Sequence, residues 1–367
     1  MGADVLVVGA GPAGLATAIA ASLQGLRAIV VDSRHPPIDK TCGEGLLPEA
    51  VSALNSLGIQ LNSPQAFPLK GIRFSDQESS ACASLSGGTA FALRRTALNQ
   101  LLIERAAQLG VEFLWGARIT SFDSRVVNIA HTRHTYRWLV GADGRDSVVR
   151  KWAGLHRPTA RRVRFGFRKH YSVTPWADLV EVHWGNRFQI FATPTGPEEV
   201  CVCLLTSDPR IRIEQALPHF PALARHLHGA AALTTEHGAV TALEPARAVA
   251  RGNIALVGDA SGTVDGIAGV GLSLAFQQAI SLGEALARED LNYYQAAHRR
   301  IARMPARMNR LLLLMNHSAW IRRKALRLFA KSPRMFSALM SLHTGQGGTE
   351  QIRARHLLDL GWRVLWA

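Results

Sequence analysis

The chain opens on a pattern that leaves little freedom. A strand-like run, Asp4-Val5-Leu6-Val7-Val8, leads straight into Gly9-Ala10-Gly11-Pro12-Ala13-Gly14. A small-residue helix is predicted from Leu15 to Leu23, with Gly25 suited to its C-terminal cap. A second apolar run, Ala28 to Val31, ends on Asp32, eighteen residues past Gly14. Together these form a complete dinucleotide-binding βαβ unit. Gly9 permits the tight turn out of the strand. Gly11, lacking a Cβ, lets backbone lie against a pyrophosphate, and Gly14 lets the helix pack close to the sheet. The helix N-terminus offers free N–H groups and a positive dipole end, reached through Pro12 and Ala13. Asp32, followed by Ser33 and Arg34, can accept hydrogen bonds from ribose hydroxyls.

At 367 residues the chain is longer than one core usually serves, so two lobes are expected. No stretch approaches eighteen uninterrupted apolar residues, and no transmembrane helix is expected. The first strand begins at residue 4, which leaves no room for a signal or transit peptide, and a cytoplasmic location is expected. Cys42, Cys82, Cys201 and Cys203 form no CxxC pair and no metal-ligand spacing, so no metal is expected. Cys201 and Cys203 should share one strand face as packed thiols.

The net charge of +15 is concentrated late. From Leu291 to Thr349 there is no acidic residue, while Arg299, Arg300, Arg303, Arg307, Arg310, Arg322, Arg323, Lys324, Arg327, Lys331 and Arg334 all fall there. No nucleic-acid motif accompanies them, and no nucleic-acid partner is expected. A solvated face and peripheral contact with an anionic membrane are the two readings of this charge. Ile321, Ala325, Leu328 and Phe329 share one helical face there, and Arg323, Arg327 and Lys331 line another.

Helices are predicted for Pro48 to Leu57, Arg95 to Leu109, Ile213 to His228 and Leu272 to Arg288, with strands at Val111 to Trp115, Arg118 to Phe122, Val126 to Ile129 and Trp138 to Val140. Residues 161 to 205 read as mostly β, and the last seventy as helices broken by Pro305 and Pro333. The expected fold is α/β: a doubly wound, Rossmann-like nucleotide domain with an inserted mixed β-sheet substrate domain and a helical C-terminus. The nucleotide domain takes residues 1–70, 91–160 and 245–300, the substrate domain 71–90 and 161–244, and the helical region 301–367.

Two later motifs name the cofactor. Asp143-Gly144, with Ser147 and Arg150 after it, stands at one strand end, and Gly258-Asp259-Ala260 at another. With the opening motif they resemble the three fingerprints of the para-hydroxybenzoate hydroxylase-like FAD superfamily, over roughly residues 2 to 300. The resemblance implies that Asp259 bonds a ribityl hydroxyl of FAD and that Asp143 lies near its phosphates and ribose. It also implies NAD(P)H as a transient electron donor. The helix after Gly269-Val270-Gly271-Leu272 would aim its N–H groups at the flavin pyrimidine edge and stabilise the reduced, negative ring. Cys42-Gly43-Glu44-Gly45 is similar to a loop of the geranylgeranyl reductase-like branch that approaches the isoalloxazine. Arg95 matches an arginine that opens the helix beside the cofactor. Relatives carry proline where Gly266 stands and Gly-Glu-Gly where this chain has Gly269-Val270-Gly271.

Cys42, Glu44 and Asp265 are the candidate catalytic residues: a thiol and a carboxylate in a glycine-rich loop, and a carboxylate between the Asp259 motif and the next helix. Capping or loop-shaping roles stand beside each. His170, Glu181 and His183 fall on the predicted substrate sheet, the last two on one face by period two. No halogenase WxWxIP signature, P-loop or serine elbow is present. The resemblance implies an FAD-dependent oxidoreductase. Its leading activity is monooxygenation of a hydrophobic aromatic or polyketide-like substrate through a flavin C4a-hydroperoxide. Reduction of an isoprenoid or lipid alkene and a non-catalytic redox carrier or sensor are the alternatives.

Overall fold

The computed structural model describes residues 2–343 except 62–65, 86–87, 124, 131, 157–162, 243 and 245–247. The strand Gly2–Val8 lies inside an eight-stranded sheet. On one side of it is Ala28–Asp32, then Glu112–Trp115; on the other is Thr132–Gly141, then Ile254–Leu256 and the edge piece Ala250–Arg251. The inner strands are parallel and covered on both faces, which is why Val5, Leu6, Val7 and the whole of Ala28–Asp32 are buried. Ile119–Asp123 and Val126–Ile129 add an antiparallel excursion, close to the predicted strands.

Helix Pro12–Leu23 starts on Pro12, whose fixed φ suits a first helical position. Its alanines admit the later helix Gly271–Ala287 at close range: a Cβ added at Gly283 would fall 2.8 Å from the Ala20 Cβ. No single predicted segment shows this packing, since the two helices are some 250 residues apart in sequence.

The second sheet is mixed and forms the inserted lobe. Its order runs Ala231–Ala232, Val163–Ser172, Glu199–Thr206, Phe188–Gly196, Leu179–Trp184, Gly71–Ser75 and Ser80–Ser84, with His237–Ala242 also on Val163–Ser172. One parallel pair, Leu179–Trp184 with Gly71–Ser75, joins chain segments about a hundred residues apart. Gly45–Leu46, Ala90–Ala92 and Phe67–Leu69 form a third sheet.

Two helical expectations change. The stretch from Ile213 is broken into Ile213–Ala216, a 3-10 turn Leu217–His219 and Pro221–Leu227, because Pro218 and Pro221 each lack an N–H to continue the ladder. Pro305, expected to break the C-terminal helices, instead sits inside one continuous helix, Leu291–His317. That helix ends at Ser318, whose hydroxyl accepts from Ile321 N at 3.3 Å and starts the next helix, Ala319–Lys331. Pro333 opens helix Pro333–His343, and residues 344–367 of the predicted helical region lie outside the described ones.

These last helices roof the substrate sheet. Met308, Leu312, Met315, Leu326, Phe329, Phe336, Leu339 and Met340 share one buried core with Ile72, Phe74, Val182 and Trp184. Phe336 stacks on Phe329 at 4.6 Å and meets Phe74 at 5.2 Å. The apolar face predicted on Ala319–Lys331 is therefore taken up by the interior: Ala325 and Phe329 are buried and Ile321 packs against them. Arg323 and Arg327 are exposed and pair with Glu78 at 3.1 and 2.8 Å. Among the described residues no helix is long and apolar enough to cross a membrane.

Candidate functional site: an FAD cleft with an apolar extension

The three glycine and acid motifs meet because of strand register. Val8 pairs with Gly141, and Gly141 pairs with Leu256. The residues that follow, Gly9, Ala142-Asp143 and Gly258-Asp259, thus emerge side by side at the carboxyl ends of three neighbouring parallel strands, where open α/β sheets bind ligands. They interlock closely. Gly9 has φ +107°, and a Cβ there would fall 2.4 Å from the Ala142 carbonyl oxygen; at Gly258 (φ +61°) it would fall 2.6 Å from the Ala13 Cβ.

Around these ends lies a cleft of about 990 Å³ that runs from the glycine turns, past the Cys42 loop, to the helical roof. Every cofactor-binding residue named from the sequence lines it except Gly14, which packs inward: a Cβ there would sit 1.9 Å from the Gly9 carbonyl oxygen. Gly11 and Gly43 face open space, with nothing within 4 Å of an added Cβ. Asp32 accepts from Ala10 N at 2.8 Å and Arg34 N at 2.9 Å, which fixes its carboxylate at the strand end.

The wall carries groups that fit a dinucleotide. Arg95 Nε, Asp143 Oδ1 and Arg145 Nη1 are buried without a hydrogen-bond partner among the described residues, and a bound dinucleotide would satisfy them. Asp143 Oδ2 meanwhile accepts from Val148 N at 2.7 Å, so only one oxygen is committed. Helices Pro12–Leu23 and Gly271–Ala287 both begin without a side-chain cap, leaving their first N–H groups for an anion or a carbonyl. Lys40 donates to Asp259 at 2.6 Å. Burial alone would raise the Asp259 carboxyl, but Lys40, with Arg95 and Arg145 further off, holds it below the ordinary value. Buried Arg150 donates to the carbonyls of Asp259 (3.3 Å) and Ala260 (3.0 Å), tying the second motif to the third.

The Cys42 loop is clamped by charge. Glu44 is 2% exposed and stands at φ +61°, a left-handed conformation uncommon for a residue with a Cβ. Its carboxylate accepts from Arg95 N (2.9 Å), His170 Nε2 (2.7 Å) and Arg168 Nη1 (3.4 Å). Arg168 also grips Asp39 with two bonds, 2.8 and 2.7 Å. That guanidinium holds the Asp39 carboxyl below its usual range. Glu44, fully engaged, is thus a brace for the loop that presents Cys42 to the cleft. The Cys42 thiol accepts from Glu44 N at 3.3 Å.

The strand behind this brace carries a further pattern of charge. Arg164, Gly166, Arg168 and His170 alternate on one face of Val163–Ser172, while Phe167 and Tyr171 enter the core on the other. Of these, the sequence reading points to His170 alone. Arg164 is buried and pairs with Asp265 at 3.0 Å, and Asp265 Oδ1 also accepts from Ile267 N at 3.0 Å. Asp265 lines the cleft but serves as a cap and a counter-ion.

The sheet sends Glu181 and His183 elsewhere. Val180 and Val182 line the cleft, so their alternating neighbours project from the opposite face. There Glu181 binds Arg73 and Trp176, and His183 bonds Ser75 at 2.9 Å beside the Phe220 ring. Burial would raise Glu181, but His183, Trp176 and Arg73 bring it to about 2. Neither residue lines the cleft. Cys203 does line the cleft, and burial pushes its thiol up to about 12; Cys201, on the same face as predicted, is raised by burial too.

A cleft with these features defines an FAD-dependent flavoprotein with an inserted mixed sheet. The FAD binding domain family matches residues 2–289, and the chain belongs to it, within the para-hydroxybenzoate hydroxylase-like superfamily of FAD-dependent oxidoreductases. It is 29% identical to a menaquinone reductase of Mycobacterium tuberculosis over 79% of this chain and 78% of that protein. It is 30% identical to a 3-(3-hydroxy-phenyl)propionate/3-hydroxycinnamic acid hydroxylase of a Mycobacterium species over 41% of this chain and 29% of that protein. Its fold is similar to that of a p-nitrophenol 4-monooxygenase from Pseudomonas putida, with a TM-score of 0.78 at 17% identity, covering 99% of this chain and 98% of the other.

Proposed function

We propose that the enzyme oxygenates an aromatic ring that carries a long apolar chain, with NAD(P)H as the transient electron donor. The cleft carries this reading: one continuous space joins the FAD-binding turns to a wall of Phe74, Val182, Leu312, Phe329, Phe336 and Met340. Bound FAD supplies two-electron reduction and activation of O₂ at that junction. The protein's share is positional. The glycine turns and helix starts would hold the nucleotide, and the Glu44–Arg168–His170 brace fixes the Cys42 loop on the cleft wall. The helical roof keeps water out and gives the apolar chain a dry seat. Each methylene seated there stabilises binding by about 0.8 kcal/mol. The exposed Arg323, Arg327 and Lys331 would bring the enzyme to an anionic membrane where such substrates collect.

A second reading, reduction of an isoprenoid alkene as in the geranylgeranyl reductase-like branch, draws on the long match to a menaquinone reductase and on the Cys42-Gly43-Glu44-Gly45 loop. Both readings seat a ring-and-tail or tail-only lipid in the same space. The separating experiment supplies the holoenzyme with NADH or NADPH under ¹⁸O₂, with a 5-alkylresorcinol or with menaquinone. A product that gains one labelled oxygen upholds the proposal. A product that gains two hydrogens and no label replaces it with the reductase. Substrate-independent flavin cycling with both substrates unchanged would leave only the carrier.

A further inference from the structure

Beyond the cleft is a second, smaller cavity of about 380 Å³, bounded by Glu49, Gln277, Ile301, Pro305 and His343. Among the described residues His343 alone lines both spaces. Its ring is 5% exposed and hangs from the last turn of Pro333–His343. Nε2 donates to the Ala268 carbonyl at 2.7 Å, while Nδ1 is buried without a partner among the described residues. Burial holds the imidazole neutral by lowering its pKa. Pro305, inside the roof helix, cannot donate to the Ile301 carbonyl one turn back. Both residues bound the outer cavity.

We propose that His343 is the end-stop of the apolar channel and sets the length of substrate tail the enzyme accepts, with the outer cavity as the space that its removal would add. The inference rests on the tail-binding reading above. A tail that reaches the ring meets a polar, sterically fixed group. Its Nδ1 lone pair can offer nothing to a methylene, so further carbons gain no burial.

The test is equilibrium binding of a series of 5-alkylresorcinols to the oxidised holoenzyme, read from the perturbation of flavin absorbance. In the native protein each added methylene should tighten binding about fourfold until a break point, then add nothing. In His343→Ala the rise should continue past that point, so that two carbons beyond it bind about fifteenfold tighter than to the native protein. His343→Asn keeps an amide donor for Ala268 and is smaller than the ring, and should move the break in the same direction by less. An unmoved break in both variants overturns the end-stop. Affinity independent of chain length in the native protein as well would overturn tail binding itself.

Discussion

The two ends of the cleft are built from opposite materials. At the nucleotide end the cleft wall is backbone, glycine Cα atoms and the Glu44 carboxylate, backed by a net of charge: Arg168, His170 and Asp39, with Arg164 and Asp265 nearby. At the roof end they are side-chain carbons of Phe329, Phe336, Leu339 and Met340. A charged net is directional. Each member has few places to go, and losing one strands its partner. An apolar wall is non-directional and tolerates changes of shape so long as volume is conserved. The cofactor end of the cleft is thus exacting in geometry, and the roof end can adapt.

That contrast can be broken. The largest effect is expected for Arg168→Met, which leaves Glu44 and Asp39 facing each other without their cation and should cost about 3–5 kcal/mol in denaturant unfolding. Phe336→Ala at the roof should cost about 3 kcal/mol, the low end for such a truncation, because the side chain already borders open volume. Equal losses on a conservative Arg168→Lys and on Phe336→Leu would erase the distinction, since only the charged end should reject the conservative change. Thermal melts against pH sharpen the comparison from another side. Burial depresses His298 from 6.5 to about 4, and its Nε2 lies 2.9 Å from Ser261 Oγ in the third motif. The unfolded chain therefore binds this proton more readily. The stability involved is complete above pH 6.5 and drains as pH falls, by about 3 kcal/mol at pH 4. His298→Asn should flatten that limb, and parallel curves for the two proteins would refute the assignment.

Gly11→Val tests the cradle. The site has room for a side chain and φ is −70°, so the fold should survive. FAD binding should weaken on the order of 100-fold, as one or two charge-assisted bonds to phosphate are blocked. Titration of the apoprotein with FAD decides it, and unchanged affinity would place the pyrophosphate elsewhere. The smallest effect is expected at the surface: Arg323→Gln with Arg327→Gln should change stability by less than about 1 kcal/mol, because both partner Glu78 in water. Anionic-vesicle binding by that double variant should fall and lose its salt dependence.

Much of the nucleotide end was legible because its chemistry is local. A glycine must sit where φ is positive or backbone meets backbone, and an acid must close the second strand, so fixed residue types appear at fixed spacing. Even there, reading residues one at a time had a cost. The alternation Arg164, Gly166, Arg168, His170 spans one strand in plain view, yet its meaning depends on Asp265, Asp39 and Glu44 arriving from distant segments. Glu181 and His183 show the converse: period two correctly put them on one face, but nothing local says which face of a sheet looks at the ligand.

The sequence by itself determined the cofactor and the sheet that carries it, since turn geometry, helix starts and strand-end acids are set by covalent constraints within a few residues. Only the tertiary structure decided what lines the apolar extension of the cleft. The roof is made of helices whose apolar faces look alike whether they cover a core, a lipid tail or a membrane. Burial is non-directional, and so the partner of such a face is chosen by packing across the whole chain.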